Sequence, residues 1–184
     1  MSFEDLEDAI KDAVKKLLNL EGKVKIVSHN DCDGVCAAAV MLKALKKEDR
    51  IFSLKFVTVL SDESLKEVSE CDEPIIFITD LGSSNIESIN NYLKNKQVFI
   101  LDHHQISNIE ELSNITHINP FLFGLDGKDV SGSGITYLFT KYLNKENIEN
   151  AYIAVTGAIA DVQERNGFNG LNQIILQDSL DKIE

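Results

Sequence analysis

The stretch Ile26-Val27-Ser28-His29-Asn30-Asp31-Cys32-Asp33-Gly34 decides how the rest of the chain is read. A short apolar, β-branched run stops abruptly, and His29, Asp31 and Asp33 follow at alternate positions before a glycine. If the backbone stays extended through them, alternate side chains point the same way. An imidazole and two carboxylates then face a common point. The helix-like Val35 to Lys47 comes next, so the segment reads as strand, loop and helix start. In an α/β sheet that edge is where ligands bind. Two carboxylates about 5 Å apart, at an effective dielectric of about 20, repel by roughly 3 kcal/mol. A divalent metal held by N and O ligands is the natural counter-charge. The plainer alternative is a polar turn in which an aspartate caps the next helix.

Working outward, the strand–helix alternation repeats. Val24 to Ser28 is a first strand and Ile51 to Leu60 a second, followed by a short helix from Asp62 to about Val68, capped by Ser61 or Asp62. Ile75 to Thr79 is a continuous apolar run, the mark of a strand covered on both faces, and it ends at Asp80. Leu81-Gly82-Ser83-Ser84 turns into a helix through about Lys94, and Val98 to Leu101 ends at Asp102-His103-His104. Helices between such runs predict a parallel sheet with right-handed crossovers. Upstream, Phe3 to Leu20 is a helix with Leu6, Ala9, Ile10, Ala13, Val14, Leu17 and Leu18 on one face. Downstream, His117 to Pro120 is a short strand and Phe121 to Asp129 a loop. Ser131-Gly132-Ser133-Gly134 opens a helix through Leu143, and Ile148 to Ala160 and Leu171 to Ile183 are two more. The expected class is α/β: a three-layer fold with a mainly parallel sheet flanked by helices. One domain spans 1–184, with the helix in 1–22 packed on it.

The chain has 184 residues and a formal net charge of −12, which argues against a protein that coats nucleic acid in general. An enzyme acting on phosphates stays open, because bound cations reverse the local field. No apolar run approaches the ~20 residues of a membrane span, so no membrane partner is expected. Met1 to Leu20 lacks a signal-peptide pattern. Three cysteines without metal spacing point to a reducing, cytoplasmic location, with Cys32, Cys36 and Cys71 as small packing residues.

Three strand ends thus carry acids or imidazoles: His29/Asp31/Asp33, Asp80, and Asp102/His103/His104. With these on the page, the segments H-N-D-C-D-G, T-D-L-G, L-D-H-H and G-A-I-A-D resemble the four motifs of the DHH phosphoesterases, in the expected order from about Lys23 to Arg165. That superfamily includes RecJ exonucleases, manganese pyrophosphatases and oligoribonuclease/phosphoadenosine-phosphate phosphatases. The wider wording, with S-G-S-G-I-T-Y, is most similar to archaeal RecJ-like nucleases associated with GINS.

The resemblance implies two divalent metals, usually Mn2+ with Mg2+ as the substitute. One would take His29, Asp31 and Asp80, and the other Asp33, Asp80, His103 and Asp161, with Asp80 bridging. Four aspartates against two divalent ions leave the cluster neutral before an anionic phosphate arrives. The implied chemistry is attack on phosphorus by a hydroxide that the two metals activate. His104 looks like a phosphate ligand or proton donor, and Asp102 a group that fixes an imidazole tautomer. Ser133 and Gly134 at a helix start are candidate phosphate contacts, or a plain N-cap. Arg165, one of two arginines, is a candidate substrate contact or a solvated surface residue.

Relatives of this kind usually carry a second, substrate-gripping domain, and no glycine-rich motif for one is found before Glu184. The chain is therefore expected to be an excised domain, or a short member that binds weakly or scaffolds a partner. The expected function is a metal-dependent phosphodiesterase, a RecJ-like exonuclease on single-stranded DNA or RNA, with GINS or other replisome proteins as possible partners. A small-molecule phosphatase for oligoribonucleotide, nucleoside bisphosphate or pyrophosphate is one alternative. A non-catalytic replisome scaffold is another. The D-G-V after the first motif, where pyrophosphatases differ, favours the nucleic-acid branch.

Overall fold

Three of the five strands are short, mainly apolar runs at the places the alternation requires, and the computed structural model pairs all five in parallel. It describes residues 2–107, 112–165 and 167–181. The strands are β1 (Val24–His29), β2 (Phe52–Val57), β3 (Ile75–Thr79), β4 (Gln97–Leu101) and β5 (Ile115–Ile118), in the order β2-β1-β3-β4-β5. Registers such as Ile26↔Phe77 and Phe77↔Phe99 bring all the carboxyl ends to one edge. Every residue of β3 is buried, as its unbroken apolar run predicts for a strand covered on both faces.

Helices α1 (Phe3–Leu18), α2 (Cys32–Lys47), α5 (Gly132–Leu143), α6 (Ala151–Ala160) and α7 (Gly170–Leu180) belong with one face, and α3 (Asp62–Ser69) and α4 (Ile86–Leu93) with the other. The larger cluster joins Leu6, Ile10 and Leu17 of α1 to Ile26, Phe77, Phe99 and Phe139. Phe77 and Phe99 stack with centroids 4.8 Å apart, and Phe139 meets Phe77 edge-on at 5.4 Å. The smaller cluster sets Leu65, Ile86 and Ile89 against Val27, Ile76, Ile78 and Ile100. The three-layer, parallel α/β class therefore holds. Among the described residues no helix is long and apolar enough to cross a membrane.

Several boundaries differ from the sequence reading. The backbone does not stay extended to Asp33: β1 ends at His29 and α2 begins at Cys32, because the Asp31 carboxylate caps the helix by accepting from Gly34 N–H at 2.9 Å. The plainer capping reading of Asp31 is thus correct, and it coexists with a place in the site. β2 stops at Val57, and Ile148 to Ala160 divides into a 3-10 segment (Lys145–Asn150) followed by α6. Pro120 to Phe123 forms a 3-10 turn where a loop is expected. Leu18 is more than half exposed at 55 %, so it leaves the apolar face of α1. Cys36 is buried, but Cys32 is exposed and does no packing. Ile183 lies outside the described residues.

Candidate metal centre

At the carboxyl edge the end of each central strand delivers one part of the site. β3 ends at Asp80, which adopts φ 60 while its N–H donates to Leu101 O at 2.9 Å. A non-glycine residue holds that left-handed conformation only where its surroundings impose it, and here it sends the carboxylate across the strand ends. Asp80 Oδ2 lies 3.7 Å from His29 Nδ1, and Asp80 Oδ1 lies 3.4 Å from His103 Nε2. The two oxygens of one carboxylate therefore face two different imidazoles.

Three donor groups form at this edge, one of them Asp80 with His103 and His104. His29, Asp31 and Asp80 each bring a ligand atom within 4.8 Å of the others, and so do Asp33, His103 and Asp161. His29 Nδ1 is 2.8 Å from Asp31 Oδ2, while His103 Nε2 is 3.9 Å from Asp33 Oδ2 and 3.7 Å from Asp161 Oδ2. Despite these approaches, His29 Nδ1, both Asp80 oxygens and His103 Nε2 are buried without a hydrogen-bond partner. Buried polar atoms in native proteins are nearly always paired, so four orphans converging on one place mark where a cation fits.

Charge is strained accordingly. Burial, reinforced by the neighbouring carboxylates of Asp33 and Asp31, raises the Asp80 pKa to about 8 in spite of His103. Burial also raises Asp33, although Ser133 opposes it. For His103 burial opposes the charged ring, yet Asp80, the Gly127 carbonyl and Asp33 together raise its pKa to about 10. Asp31 is pushed up by burial, but the Gly34 N–H and His29 outweigh that and hold it below the usual range.

The supports around these ligands are specific. Asp33, in the first turn of α2, accepts from Gly132 N–H at 2.7 Å and Ser133 N–H at 3.1 Å, so the α5 N-terminus is directed at a carboxylate of the chain itself. Gly134 N–H donates to the N-cap hydroxyl of Ser131, and Ser133 and Gly134 are both buried. The N–H groups of Ser133 and Gly134 are engaged inside the protein, which favours the plain N-cap alternative over a phosphate contact. A side chain on Gly157 would strike Asp33 Oδ1 and Ser133 Oγ, which explains the glycine in the G-A-I-A-D motif.

Asp102 is fully buried and fully used. It accepts from His103 N–H at 2.9 Å, His104 N–H at 3.2 Å, His104 Nδ1 at 2.8 Å and Ser83 N–H at 2.9 Å. Burial alone would raise its pKa, but His104 and Ser83 overcome this and hold it far below the usual carboxylate range. With Nδ1–H directed at Asp102, His104 keeps Nε2 free for a ligand, while the raised pKa that Asp102 gives it favours the charged ring. His103 Nδ1 is 2.9 Å from Gly127 O, which assigns a proton there and turns Nε2 toward the carboxylates; the raised pKa keeps Nε2 protonated without metal, and it is the nitrogen a cation would take.

Two residues escaped the sequence reading. Gln163 Nε2 donates to Asp161 Oδ2 at 2.8 Å and to Gly127 O at 3.1 Å. Asn172 of α7 donates to Gln163 Oε1, and its own Oδ1 accepts from Ser131 N–H. Val162, between Asp161 and Gln163, sits at φ 59, a conformation that a β-branched residue adopts only under constraint. The place of Gln163, two residues after the last motif aspartate, was the one available signal. A cleft of about 510 Å³ opens beside the centre, lined by His103, His104, Phe121, Lys128, Asp161 and Arg165 among others. Arg165 is exposed on its wall.

A parallel sheet carrying an imidazole-and-carboxylate centre on its carboxyl edge is the architecture of a DHH domain. The chain belongs to the DHH family: the family's N-terminal domain matches residues 23–162. It is 31 % identical over 185 residues to the uncharacterized protein MJ0831 of Methanocaldococcus jannaschii, covering 96 % of this chain and 41 % of that protein. Among solved structures, the exonuclease RecJ bound to manganese matches with TM-score 0.74 and 21 % identity over 97 % of this chain and 48 % of that one. RecJ from Thermus thermophilus in complex with Mn2+ gives TM-score 0.73 at 21 % identity, covering 97 % of this chain and 27 % of that one. CDC45 from Entamoeba histolytica gives TM-score 0.65 at 17 % identity, covering 98 % and 37 %. The chain spans less than half the length of each of these relatives. The fold is RecJ-like, and the family is one whose members are usually phosphoesterases.

Proposed function

We propose that this DHH domain is a divalent-metal-dependent phosphodiesterase of the RecJ-like kind, acting on single-stranded nucleic acid or short oligonucleotides. The observation that carries the reading is the set of buried orphan atoms in which His29 Nδ1 and His103 Nε2 converge on the two oxygens of Asp80. Uncompensated burial of such groups costs several kcal/mol, and divalent cations remove that cost. His29, Asp31 and Asp80 would hold one ion, and Asp33, Asp80, His103 and Asp161 the other. Two imidazoles with four carboxylates suit Mn2+, with Mg2+ as the weaker alternative. Bound there, the cations supply Lewis acidity toward phosphate oxygens and lower the pKa of water.

The side chains do the rest. His104, oriented by Asp102, meets the phosphate through Nε2 and delivers a proton to the leaving oxygen. Asp102 itself is buried away from any substrate and acts through His104 as a positioning residue. Arg165, on the cleft wall, neutralises a phosphate of the bound strand. A GINS-type replisome partner follows from the sequence resemblance, with likeness to the CDC45 fold as its structural support. Co-elution with purified GINS on a sizing column is the check for that part.

The decisive experiment combines Mn2+ binding with hydrolysis of labelled single-stranded DNA, single-stranded RNA, a dinucleotide and pyrophosphate. Two ions per chain and cleavage of the strands are expected, and His104→Ala keeps both ions while losing turnover. A chain that binds no Mn2+ at saturation refutes the reading.

A further inference from the structure

Phe121 is an aromatic side chain that the hydrophobic interior does not use. Phe123 and Leu125, two and four residues on, pack against the main core, whereas among the described residues Phe121 packs against neither cluster and pairs with no other ring. Its ring lies over Gly127, where an added Cβ would come within 3.2 Å of Phe121 Cε2. The carbonyl of that same Gly127 is the acceptor for His103 Nδ1. The ring is thus half-buried on the cleft wall, one residue removed from a proposed metal ligand.

Two cations share the cleft. The side chains of Lys128 and Arg165 are exposed there and make no hydrogen bond or ion pair among the described residues. Asp126 lies on the same wall, but its carboxylate accepts the Lys128 backbone N–H at 2.9 Å and leaves the ammonium free. In a chain of net charge −12, an unemployed aromatic and two unemployed cations therefore meet beside His104. A planar base stacks on an aromatic face and a phosphate seeks cations; a nucleotide offers both, and pyrophosphate only the second. Only an unpaired nucleotide presents its base face freely.

We propose that Phe121 is a stacking shelf for the nucleobase flanking the scissile phosphate, with Lys128 and Arg165 holding the phosphate beyond it. This rests on the phosphodiesterase reading and makes the site selective for an unpaired nucleotide chain. The test is equilibrium binding, in saturating Mn2+, of fluorescein-labelled pentathymidylate with phosphorothioate linkages that resist hydrolysis, beside its abasic analogue. Phe121→Ala should weaken binding of the thymidylate about 5- to 150-fold, the range of one stacking contact. Phe121→Tyr should restore it, and the abasic chain should not distinguish the variants. Lys128→Ala and Arg165→Ala should each reduce the slope of log affinity against log salt by about 0.7 on both oligonucleotides. Equal losses on the thymidylate and abasic chains, no loss with Phe121→Ala, or no binding by the unmodified protein would each overturn the shelf. Base-dependent binding without Mn2+-dependent hydrolysis would leave the shelf standing and count against the phosphodiesterase reading alone.

Discussion

The ends of β3 and β4 lie side by side, and each stops at a buried aspartate. Asp102 accepts four hydrogen bonds and its pKa is pulled far down. Asp80 accepts none on either oxygen and its pKa is pushed up to about 8. Both sit in the same sheet edge at comparable depth, so depth does not separate them. The separation is who supplies the compensating positive charge: backbone N–H groups and His104 for Asp102, and no hydrogen-bond donor among the described residues for Asp80. A buried carboxylate met by the protein is architecture. One left unmet waits for a cation from outside.

The strongest way to break this comparison is to replace each carboxylate by its near-isosteric amide. Asp80→Asn should lower turnover by about 10³-fold or more, on the order of 4 kcal/mol of barrier, because both proposed ion positions lose a shared ligand. Its metal-free stability should hold near neutral pH, where Asp80 is largely protonated, and rise above pH 8, where roughly 3 kcal/mol of repulsion per close carboxylate pair is relieved. Asp102→Asn should do the reverse. An amide NH2 then faces N–H donors from Ser83, His103 and His104, and the fold should lose about 2–4 kcal/mol. Denaturant unfolding in EDTA measures both. Two bound Mn2+ with near-normal hydrolysis in Asp80→Asn, or equal stability changes in the two variants, would mean that the contrast has been misread.

A second effect sharpens it through pH. Asp80 has a folded pKa raised from the ordinary carboxylate value to about 8, so without metal its contribution is fully present below about pH 4 and is lost as pH rises toward 8. His103, raised from 6.5 to about 10, loses its contribution over a higher window in the same direction. Asp102 works oppositely: its depressed pKa gives stability above the unfolded value that is lost as pH falls. The metal-free protein should therefore melt lower at pH 8 than at pH 5.5, and Asp80→Asn should flatten that slope while Asp102→Asn keeps it. Saturating Mn2+ should raise the pH 8 melting temperature, about 2.7 kcal/mol per site at 100 times Kd. A melting temperature indifferent to Mn2+ counts against any metal here.

What the sequence made legible follows local periodicity. The apolar runs ending at His29, Asp80 and Asp102 placed three strand ends correctly, and parallel pairing followed from the helices between them. The site was gathered from the right segments for a partly wrong reason. His29, Asp31 and Asp33 do not share a face by strand alternation; Asp31 caps α2, and Asp33 is aimed by two N–H groups of α5 nearly a hundred residues away. The same long-range contact engages the Ser133 N–H, while the local Ser131 cap engages that of Gly134. Their glycine–serine wording fits a phosphate cradle and a carboxylate cradle equally well, and only the fold says which anion is present. Gln163 and Asn172 were missed because an amide carries no periodic or charge signature, and only Gln163's place near Asp161 hinted at a role.

Those amides give the smallest and most specific prediction. Gln163 contacts Asp161 and the carbonyl that orients His103, and it touches no member of the His29 group. It should therefore tune one side of the centre alone, as hydrogen-bond partners of metal ligands do, at about 10- to 100-fold in metal affinity. Gln163→Leu keeps the approximate shape and removes both donors. In a Mn2+ titration followed by calorimetry, the Asp33/His103/Asp161 site should weaken by that factor while the His29/Asp31/Asp80 site stays near its original affinity. Asn172→Leu should do the same more weakly, since it reaches the ligands only through Gln163 Oε1 and also anchors Ser131 N–H. Equal weakening at both sites would mean that Gln163 supports the fold in general. Unchanged binding would mean that Asp161 needs no partner to take its place.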